Sequence, residues 1–563
     1  MVDLMTAVDA PTTRAASPRT ETTPERRRAH APVPESVDVA VVGAGMGGLV
    51  AAAELARRGL SVACFDGHYV AGGCATQFSR GPKRARYRFD VGLHYVGDCR
   101  DGEIPRILRG LGAPVEFAEL DPDGFDTLVF PDLTFRIPAD VDRYRDRLVA
   151  VFPHERRGID RYVTALRAVM NLGRRMDRNE GSISLRIVAA SLRETITMAR
   201  IGDRTMGALL DGWIRDPKLK AVLLGQSGDY GLPPSRVSAV LHLGLAAHYF
   251  RGAFYPKGGG QVIADQIALA IERAGGTVHL RRPVSRVVVE GGRAVGVELA
   301  PRAGEPARRV RARVVVSNAD LTRTLLELVG PEHLPSSWVT RARGFESTAA
   351  LFMTFLGVTG DMAARGMSNT NIWQFDEYDL DRFYRDSMKL EIRGCYITSA
   401  SFKDPDNARE HAPAGITNVE VMTLVPGTGA AWGVDDRAAD AWSYGSDAAY
   451  LEKKQRIEDD MIARLDGLFP GSAAAVVHRE SATPVTHRRF TGAAAGTPYG
   501  LAATPEQFLK NRPGYRGPLP GLFFCGASTR AGHGIVGAMS SGRRAAFRVA
   551  QELGSGAVDR ARR

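Results

Sequence analysis

The stretch SVDVAVVGAGMGGLVAAAELARRGLSVACFD, residues 36–66, decides the fold. Residues 37–42 form a β-rich run suited to a buried parallel strand, and residues 60–65 form a second such run. Between them, residues 49–58 are good helix formers, and we expect the helix to end at Gly59. A strand, a helix and a second strand in this order predict an α/β fold with a parallel sheet.

The turn between the first strand and the helix carries the spacing GxGxxG. Gly43 permits the tight turn, Gly45 lets a pyrophosphate approach the backbone, and Gly48 lets the helix pack closely on the strand. The pyrophosphate would lie at the positive end of the helix dipole, beside Met46. Asp66 stands where an acidic residue accepts hydrogen bonds from a ribose 2′-hydroxyl. The motif in this setting predicts a dinucleotide-binding site.

Two further glycine-rich segments indicate which dinucleotide is bound. Gly72 and Gly73 follow Asp66 closely, as a second loop crossing an extended FAD would, although a simple turn is the alternative. We expect Cys74 to be a small packing residue beside the cofactor rather than a covalent flavin link. A strand at 521–526 runs into a glycine-rich turn that opens a helix, whose N terminus would stabilise negative charge on a reduced flavin. The other predicted cofactor contacts are Val287, Asn318, Gly526, Ala527, Gly534, Ile535 and Val536.

Four blocks of sequence resemble a known group of flavoproteins. They are FDVGLHY at 89–95, FYPKGG at 254–259, VSNAD at 316–320 and the C-terminal GLFFCGAS followed by GHGIVGAMSSG. Together with the N-terminal fingerprint they resemble the phytoene desaturase, carotenoid isomerase and retinol saturase superfamily, and the FDxGxHY form is most similar to the retinol-saturase-like branch. The resemblance implies an FAD protein with a two-part body that acts on long, apolar, conjugated polyenes.

The expected architecture is α/β, with a Rossmann-type FAD-binding domain of the glutathione-reductase kind and an interleaved α+β substrate domain. Residues 37–100, 250–335 and 515–555 are predicted to form the discontinuous FAD-binding domain. Residues 101–249 and 336–514 are predicted to form the substrate-binding domain. Residues 1–36 are predicted to be a disordered tail, and residues 556–563 a second tail.

The other GxGxxG spacing in the sequence, GHGIVG at 532–537, belongs to the C-terminal flavin block, so no separate nicotinamide domain is assigned. The chemistry is therefore expected to be that of the flavin, namely hydride exchange at N5 with a substrate carbon. A hydride at one carbon of a polyene requires a proton at another, and His94, Tyr95, Lys257 and His533 are the candidate proton donors. For each of them a hydrogen-bonded structural role is the alternative.

Several functions stay open. We favour reduction of a polyene, as saturation or as reductive cyclisation of a polyketide polyene in secondary metabolism, with NADPH binding transiently as electron donor. A carotenoid desaturase or isomerase reoxidised by oxygen or quinone is one alternative. An FAD amine oxidase is another, but no pair of aromatic residues can be assigned to its cage around the flavin. A non-catalytic prenyl-lipid carrier, similar to the GDP-dissociation inhibitors, is the alternative outside enzymes.

The composition limits the partners and the compartment. The formal net charge is +11 and five cysteines lack any metal-ligand spacing, so we expect no metal, no structural disulfides and a cytoplasmic protein. No long basic tract with interleaved aromatics is present, so nucleic acid is not expected as a partner. Residues 184–204 alternate apolar residues with arginines, which predicts either an ordinary surface helix or a peripheral contact with an anionic membrane. The oligomeric state is not predicted.

Overall fold

The first strands of the chain lie in a mixed sheet that carries the glycine-rich turn at its edge. The computed structural model describes residues 32–82, 85–178, 192–302, 304–435, 443–532 and 534–554. In spatial order this sheet contains β10 (Thr277–His279), β2 (Val62–Phe65), β1 (Ser36–Val42), β13 (Arg308–Ser317), β12 (Arg293–Leu299) and β11 (Val284–Glu290), and β19 (Leu522–Phe524) also pairs with β13. Strands β10, β2, β1, β13 and β19 are parallel, which confirms the predicted α/β class.

A second mixed sheet forms the other half of the molecule. In spatial order it contains β18 (Val476–Ala482), β14 (Ala350–Thr359), β17 (Ile416–Val425), β16 (Gly394–Thr398), β15 (Asn371–Phe375), β7 (Asp126–Phe130) and β8 (Leu133–Ile137). Two small sheets pair β3 (Gln77–Arg80) with β4 (Tyr87–Asp90), and β9 (Ala253–Pro256) with β5 (Val96–Gly97) and β6 (Phe117–Glu119).

The helices surround the two larger sheets. They are α1 (Met46–Ala56), α2 (Glu103–Leu111), α3 (Val141–Val151), α4 (Arg156–Arg178), α5 (Leu192–Ile201), α6 (Met206–Asp211), α7 (Pro217–Leu224), α8 (Ala239–Tyr249), α9 (Gln261–Arg273), α10 (Leu321–Arg323), α11 (Ser336–Arg343), α12 (Leu380–Ser387), α13 (Ala400–Lys403), α14 (Ala408–His411), α15 (Ala448–Leu468), α16 (Pro484–Thr491) and α17 (Gly534–Glu552).

Two helices begin at the carboxyl edge of the first sheet and cross each other closely. Helix α1 follows β1, and α17 follows β19. A Cβ atom on Gly542 would lie 2.1 Å from the carbonyl oxygen of Gly47, so this crossing requires glycine. Helices α2 and α9 pack in the same hydrophobic cluster, although α2 falls within the segment that the sequence assigns to the substrate-binding domain.

The second sheet buries both of its faces, because consecutive residues of its central strands are apolar and therefore point to both sides. Met353 and Met422 face the cluster formed with α3, α4, α6, α7 and α8. Phe352 and Val421, their neighbours in sequence, face the cluster formed with α15. Successive side chains of a strand point to opposite faces, so the sheet lies as a layer between two groups of helices.

The predicted boundary of the N-terminal tail differs from the structure. Val33 is buried against the first sheet, and its carbonyl oxygen accepts a hydrogen bond from Arg308. The packed chain therefore begins before residue 36, while residues 1–31 and the predicted tail at 556–563 lie outside the described residues. Among the helices that the structure describes, none is long and apolar enough to cross a membrane.

Candidate active site

A cavity of about 1260 Å³ lies between the carboxyl edge of the first sheet and the inner face of the second. Its wall includes Gly43, Gly45 and Met46 from the fingerprint turn, and Tyr396 and Met422 from the second sheet. Pockets for a single ligand span about 300–1,000 Å³, so this cavity has room for more than one ligand.

The fingerprint glycines have distinct steric roles. Gly43 has φ of +95°, in the left-handed region, and makes the turn after β1. A Cβ atom on Gly45 would lie 2.7 Å from Nδ2 of Asn318, and one on Gly48 would lie 2.0 Å from the carbonyl oxygen of Gly43. Gly43 and Gly45 therefore present bare backbone to the cavity, and Gly48 lies beneath them, where only glycine fits.

Asp66 ties the fingerprint turn to the end of β2. Its Oδ2 accepts a hydrogen bond of 2.6 Å from the amide of Ala44, and its Oδ1 accepts one of 2.7 Å from the amide of His68. Burial raises the pKa of Asp66, and these amide donors oppose that rise. The carboxyl group lines the cavity, and its contact with a ribose stays a prediction.

The second glycine loop lies directly on the first. The amide of Gly72 donates to the carbonyl of Ala44 over 2.8 Å, and Gly72 and Gly73 have φ values of +131° and +61°. Cys74 follows with its Sγ 3.7 Å from Nε2 of His487. Burial raises the pKa of Cys74 to about 11, so the sulfur is held as a neutral thiol.

Asn318, which also lines the cavity, fills the space that the glycines leave beside them. Besides Gly45, its side chain lies against the positions where Cβ atoms on Gly47 and Gly526 would be. The C-terminal residues predicted to contact the cofactor, namely Gly526, Ala527, Gly534, Ile535 and Val536, all line the cavity. His533 lies outside the described residues.

One predicted cofactor contact lies elsewhere. The side chain of Val287 is buried in a hydrophobic cluster with Phe65 and Val42, and it does not belong to the described cavity wall. Val284, on the same strand, lines the cavity instead. Because successive positions of a strand alternate in direction, the choice of residue within β11 could not be made from the motif alone.

The cavity wall fits an extended anionic dinucleotide. The N termini of α1 and α17 both meet the cavity, and each presents unpaired amides and the positive end of a helix dipole. The glycines at 43, 45, 72 and 73 also line the cavity, where they expose backbone to a ligand. When bound, FAD would be held by these loops, by Asp66 and by the loop at Gly526.

The FDxGxHY and FYPKGG segments are joined by hydrogen bonds. Asp90 accepts from the hydroxyl of Tyr255 and, over 2.9 Å, from the amide of Gly260. Burial raises the pKa of Asp90, and the adjacent Glu420 raises it further. His94 follows in the cavity wall, with Nδ1 2.9 Å from Oε2 of Glu420.

Lys257 is not part of the cavity wall that the structure describes. Its ammonium group pairs with Asp406 over 3.1 Å, and a third of the side chain is exposed. The lysine buried beneath this motif is Lys403, which donates to the carbonyl of His94 over 2.6 Å and to Oγ1 of Thr398 over 2.7 Å. Burial lowers the pKa of Lys403 to about 8. The position expected for Lys257 is therefore wrong, because the residue lies outside the described wall of this cavity.

Tyr95 lies among acidic and aromatic residues that the sequence motifs do not include. Its hydroxyl lies 2.8 Å from Oδ2 of Asp229 and 3.1 Å from Oδ2 of Asp126. Its ring stacks on that of Tyr249, with centroids 4.4 Å apart. Burial raises the pKa of Asp229 to about 8 and that of Asp126 to about 6.

The sequence matches the family described as "Flavin containing amine oxidoreductase" over residues 46–387 and 435–550. The chain belongs to this family, and it is an FAD-dependent oxidoreductase with a Rossmann-type FAD-binding fold.

Curated relatives share about a quarter of the residues over most of the chain. An all-trans-retinol 13,14-reductase from Danio rerio is 27% identical over 491 residues, which cover 83% of this chain and 78% of the relative. Prolycopene isomerase 1 from an Oncidium hybrid cultivar is 26% identical over 532 residues, covering 92% and 85%. The predicted superfamily resemblance is confirmed.

Solved structures share the fold at lower identity. An oxidoreductase from Methanosarcina mazei superposes with a TM-score of 0.59 at 16% identity, covering 91% of this chain and 99% of that one. A double mutant of putrescine oxidase superposes with a TM-score of 0.57 at 17% identity, covering 92% and 99%. These similarities establish the architecture of the chain.

Proposed function

We propose that this flavoprotein acts on a long, apolar, conjugated polyene. The main observation that supports this proposal is that the cavity extends beyond the cofactor loops into a largely apolar chamber. The apolar residues of that chamber are Val169, Val240, Leu241, Leu245, Leu351, Phe375, Phe383, Met422, Leu424 and Phe508. A chain of conjugated double bonds offers no hydrogen-bonding groups along its length, so such a wall would bind it by apolar contact. The two kinds of relative, a retinol reductase and a prolycopene isomerase, support the same class of substrate.

The residues of the chain would position the substrate and hold its protons. Bound FAD supplies hydride exchange at N5. The walls of the chamber would exclude water from the reacting carbons, and His94 and Tyr95 are among the polar side chains of a largely apolar surface. Buried ionisable groups that stay neutral can serve as acids in such a site.

Reduction is the direction that we propose, with NADPH as a transient donor. The FDxGxHY block and the relative that is a retinol reductase support it. Saturation and reductive cyclisation of a polyketide polyene are both consistent with it. Anaerobic mixing of the oxidised flavoprotein with NADPH, and separately with NADH, tests the direction. Rapid bleaching of the flavin by NADPH is expected, whereas no bleaching by either would favour a desaturase or isomerase linked to oxygen or quinone.

The aromatic residues in the cavity bear on the amine-oxidase alternative. The sequence did not assign a pair of aromatic residues to the cage of an amine oxidase, and in the structure Tyr95, Tyr249, Tyr396 and Trp373 line the cavity. Tyr95 and Tyr249, however, stack with their ring planes only 9° from parallel and their centroids 4.4 Å apart. Rings in contact leave no slot for an amine between them. Oxidation of benzylamine by the flavoprotein, followed as hydrogen peroxide release, would favour this alternative over a polyene.

We further propose a peripheral contact with an anionic membrane through α5. Leu192 and Ile196 on this helix are 61% and 43% exposed, and Arg193 and Arg200 are exposed beside them. The neighbouring helix α4 contributes Val169 to the cavity wall. An apolar substrate could then pass from the bilayer to the chamber. Residues 184–191 of the predicted basic helix lie outside the described residues.

A further inference from the structure

Two carboxyl groups meet at one tyrosine hydroxyl in the cavity wall. Oη of Tyr95 is within hydrogen-bonding distance of both Asp229 and Asp126, at 2.8 Å and 3.1 Å. A phenol carries a single proton, so Tyr95 can donate to only one of the two. The other contact is a hydrogen bond only if that carboxyl group carries a proton and donates it to the tyrosine oxygen. The geometry therefore fits a pair in which one carboxyl group is protonated and the other is a carboxylate.

The hydrogen-bond donors around the pair decide which carboxyl group holds the proton. Asp126 accepts from Nε2 of Gln226 over 2.7 Å and from Nδ2 of Asn371 over 3.0 Å. Amide N–H groups only donate, so they stabilise Asp126 as a carboxylate. Asp229 has Tyr249 as its further neighbour, with the hydroxyl at 3.5 Å. The proton therefore belongs on Asp229, in line with the higher pKa that burial and the nearby Asp126 give it.

The protonated member of the pair is also the one that meets the cavity. Asp229 lines the cavity together with Tyr95 and Tyr249, whereas Asp126 is fully buried and is not part of the described wall. A second observation points to a ligand here. Tyr396 lines the same cavity, and its buried hydroxyl makes no hydrogen bond of normal geometry with the described residues, although Thr398 lies close to it. A buried donor without a partner is costly unless a ligand supplies the acceptor.

We propose that Asp229 is the general acid that protonates the substrate. Asp126 and Tyr95 are positioning residues: the charge of Asp126 favours the protonated form of Asp229, and the hydroxyl of Tyr95 holds the two carboxyl groups in place. The inference rests on the proposed polyene reduction. Saturation of one C=C bond breaks a π bond and forms two C–H bonds, one from the hydride that reduced FAD supplies and one from the proton of Asp229. The substrate gains two electrons, which the nicotinamide donor provides. Asp229 is left as a carboxylate and takes its next proton from water.

The surroundings of Asp229 favour that return of the proton. The titratable groups that interact with Asp229 are Asp126 and the hydroxyls of Tyr95, Tyr230, Tyr249, Tyr396 and Tyr499. Lys403 is a cation that interacts with Asp126. Once Asp229 has lost its proton, two anions share the single proton of Tyr95, and their repulsion favours protonation of one of them. We expect the proton-transfer step to slow as pH rises above about 8, where Asp229 ionises.

The protonation state of Asp229 can be measured without any substrate. Infrared spectra of the oxidised holoenzyme at neutral pH should contain the absorption of a protonated carboxyl group. The band should be lost in Asp229→Asn and retained in Asp126→Asn and in the surface control Asp406→Asn. If Asp229→Asn leaves the band unchanged, the proposal is overturned. This measurement is independent of the substrate, so it stands even if no polyene is turned over.

The contribution of this proton to the reaction is measured in a single turnover. Dithionite-reduced holoenzyme is mixed anaerobically with all-trans-retinol or with prolycopene, and the return of oxidised flavin is followed across pH. General acids contribute roughly 10²–10⁴-fold, so Asp229→Asn should slow the reaction by at least 10²-fold at unchanged flavin content. Asp406→Asn should match the wild-type protein. An unchanged rate in Asp229→Asn overturns the general acid, whereas failure of the wild-type protein with both polyenes counts against the proposed function.

Tyr95→Phe serves as the second variant in case the asparagine variant does not fold. It keeps both carboxyl groups and removes the hydroxyl between them. Because the tyrosine hydrogen bond lowers the pKa of Asp229, its loss should move the alkaline limb of the pH profile to higher pH. A profile that keeps its position in Tyr95→Phe would show that the pair does not act through Tyr95.

Discussion

The side chain of Asn318 occupies the space directly above Gly45, where a Cβ atom would lie 2.7 Å from Nδ2 of the asparagine. The backbone of Asn318 is held in place because its backbone N–H donates to the carbonyl of Val42 over 2.8 Å. The residue after β13 therefore fixes the shape of the turn after β1.

Gly45→Val should yield a protein that folds but holds little FAD. The side chain would displace Asn318 on one side and block the approach of the pyrophosphate on the other. The measurement is the ratio of visible flavin absorbance to protein absorbance after purification. Gly110→Ala is the matched control, because a Cβ atom there meets nothing within 4 Å.

A normal flavin content in Gly45→Val would refute the cofactor assignment. The combination Gly45→Ala with Asn318→Ala separates two causes, since it removes the contact between these residues and leaves only the new methyl group in the turn. If the double variant binds FAD as the wild-type protein does, the loss in Gly45→Val comes from the displaced asparagine.

The fold could be predicted in large part because its signals are local. The strand, glycine turn and helix around Gly43 lie within thirty-one consecutive residues, 36–66, and each glycine has a steric reason that the sequence displays. The motif residues His94 and Tyr95 were found in the same way, and both line the cavity. Lys257 was misplaced because a motif gives the path of the backbone and not the direction of a long side chain.

The carboxyl pair could not be predicted because nothing local marks it. Asp126 lies on β7 of the second sheet, and Asp229 lies in a short 3₁₀ turn after α7. They are brought together by the packing of this turn on the sheet, where Gln226 reaches Asp126. Lys403 was missed for the same reason. An aspartate that begins a strand ending in an apolar run, as Asp126 does in DTLVF, is the one signal that could have suggested a buried carboxyl group.

The carboxyl pair should make stability depend on pH. The folded protein holds protons on Asp229 and Asp126 up to pKa values of about 8 and about 6, whereas an unfolded aspartate releases its proton near 3.8. Their contribution is therefore complete below pH 4 and is lost as pH rises to about 8. Each group should cost about 1.4 kcal/mol per pH unit inside its window.

Urea unfolding of wild-type protein and Asp229→Asn at a series of pH values checks this expectation. Histidine titrations are common to both proteins and cancel in the difference between them. The stability of the variant relative to wild type should increase between pH 6 and pH 8, and the control Asp406→Asn should show no such trend. A difference that does not change with pH would contradict the raised pKa of Asp229.

Lys403→Met should destabilise the protein strongly. The ammonium group holds the carbonyl of His94 and the hydroxyl of Thr398, and it offsets the charge of the buried Glu420. Removing one partner of a buried charged network costs about 3–5 kcal/mol. Lys257→Met is the control, because that lysine is partly exposed and pairs only with Asp406 in the contacts described. The measurement is the midpoint of thermal unfolding of both variants. Equal stability of the two would contradict the buried network.

Replacing Leu192 and Ile196 by aspartate should weaken binding to anionic vesicles. Both side chains are exposed on α5 beside arginines, so apolar insertion and charge attraction would act together at a membrane surface. The measurement is co-flotation with vesicles of phosphatidylserine and phosphatidylcholine at low and high salt. Leu451→Asp is the matched control, since Leu451 is 42% exposed on the distant helix α15. Wild-type protein should float at low salt and less at high salt, and the control should behave like it. If the wild-type protein stays with the soluble fraction at low salt, α5 is an ordinary surface helix.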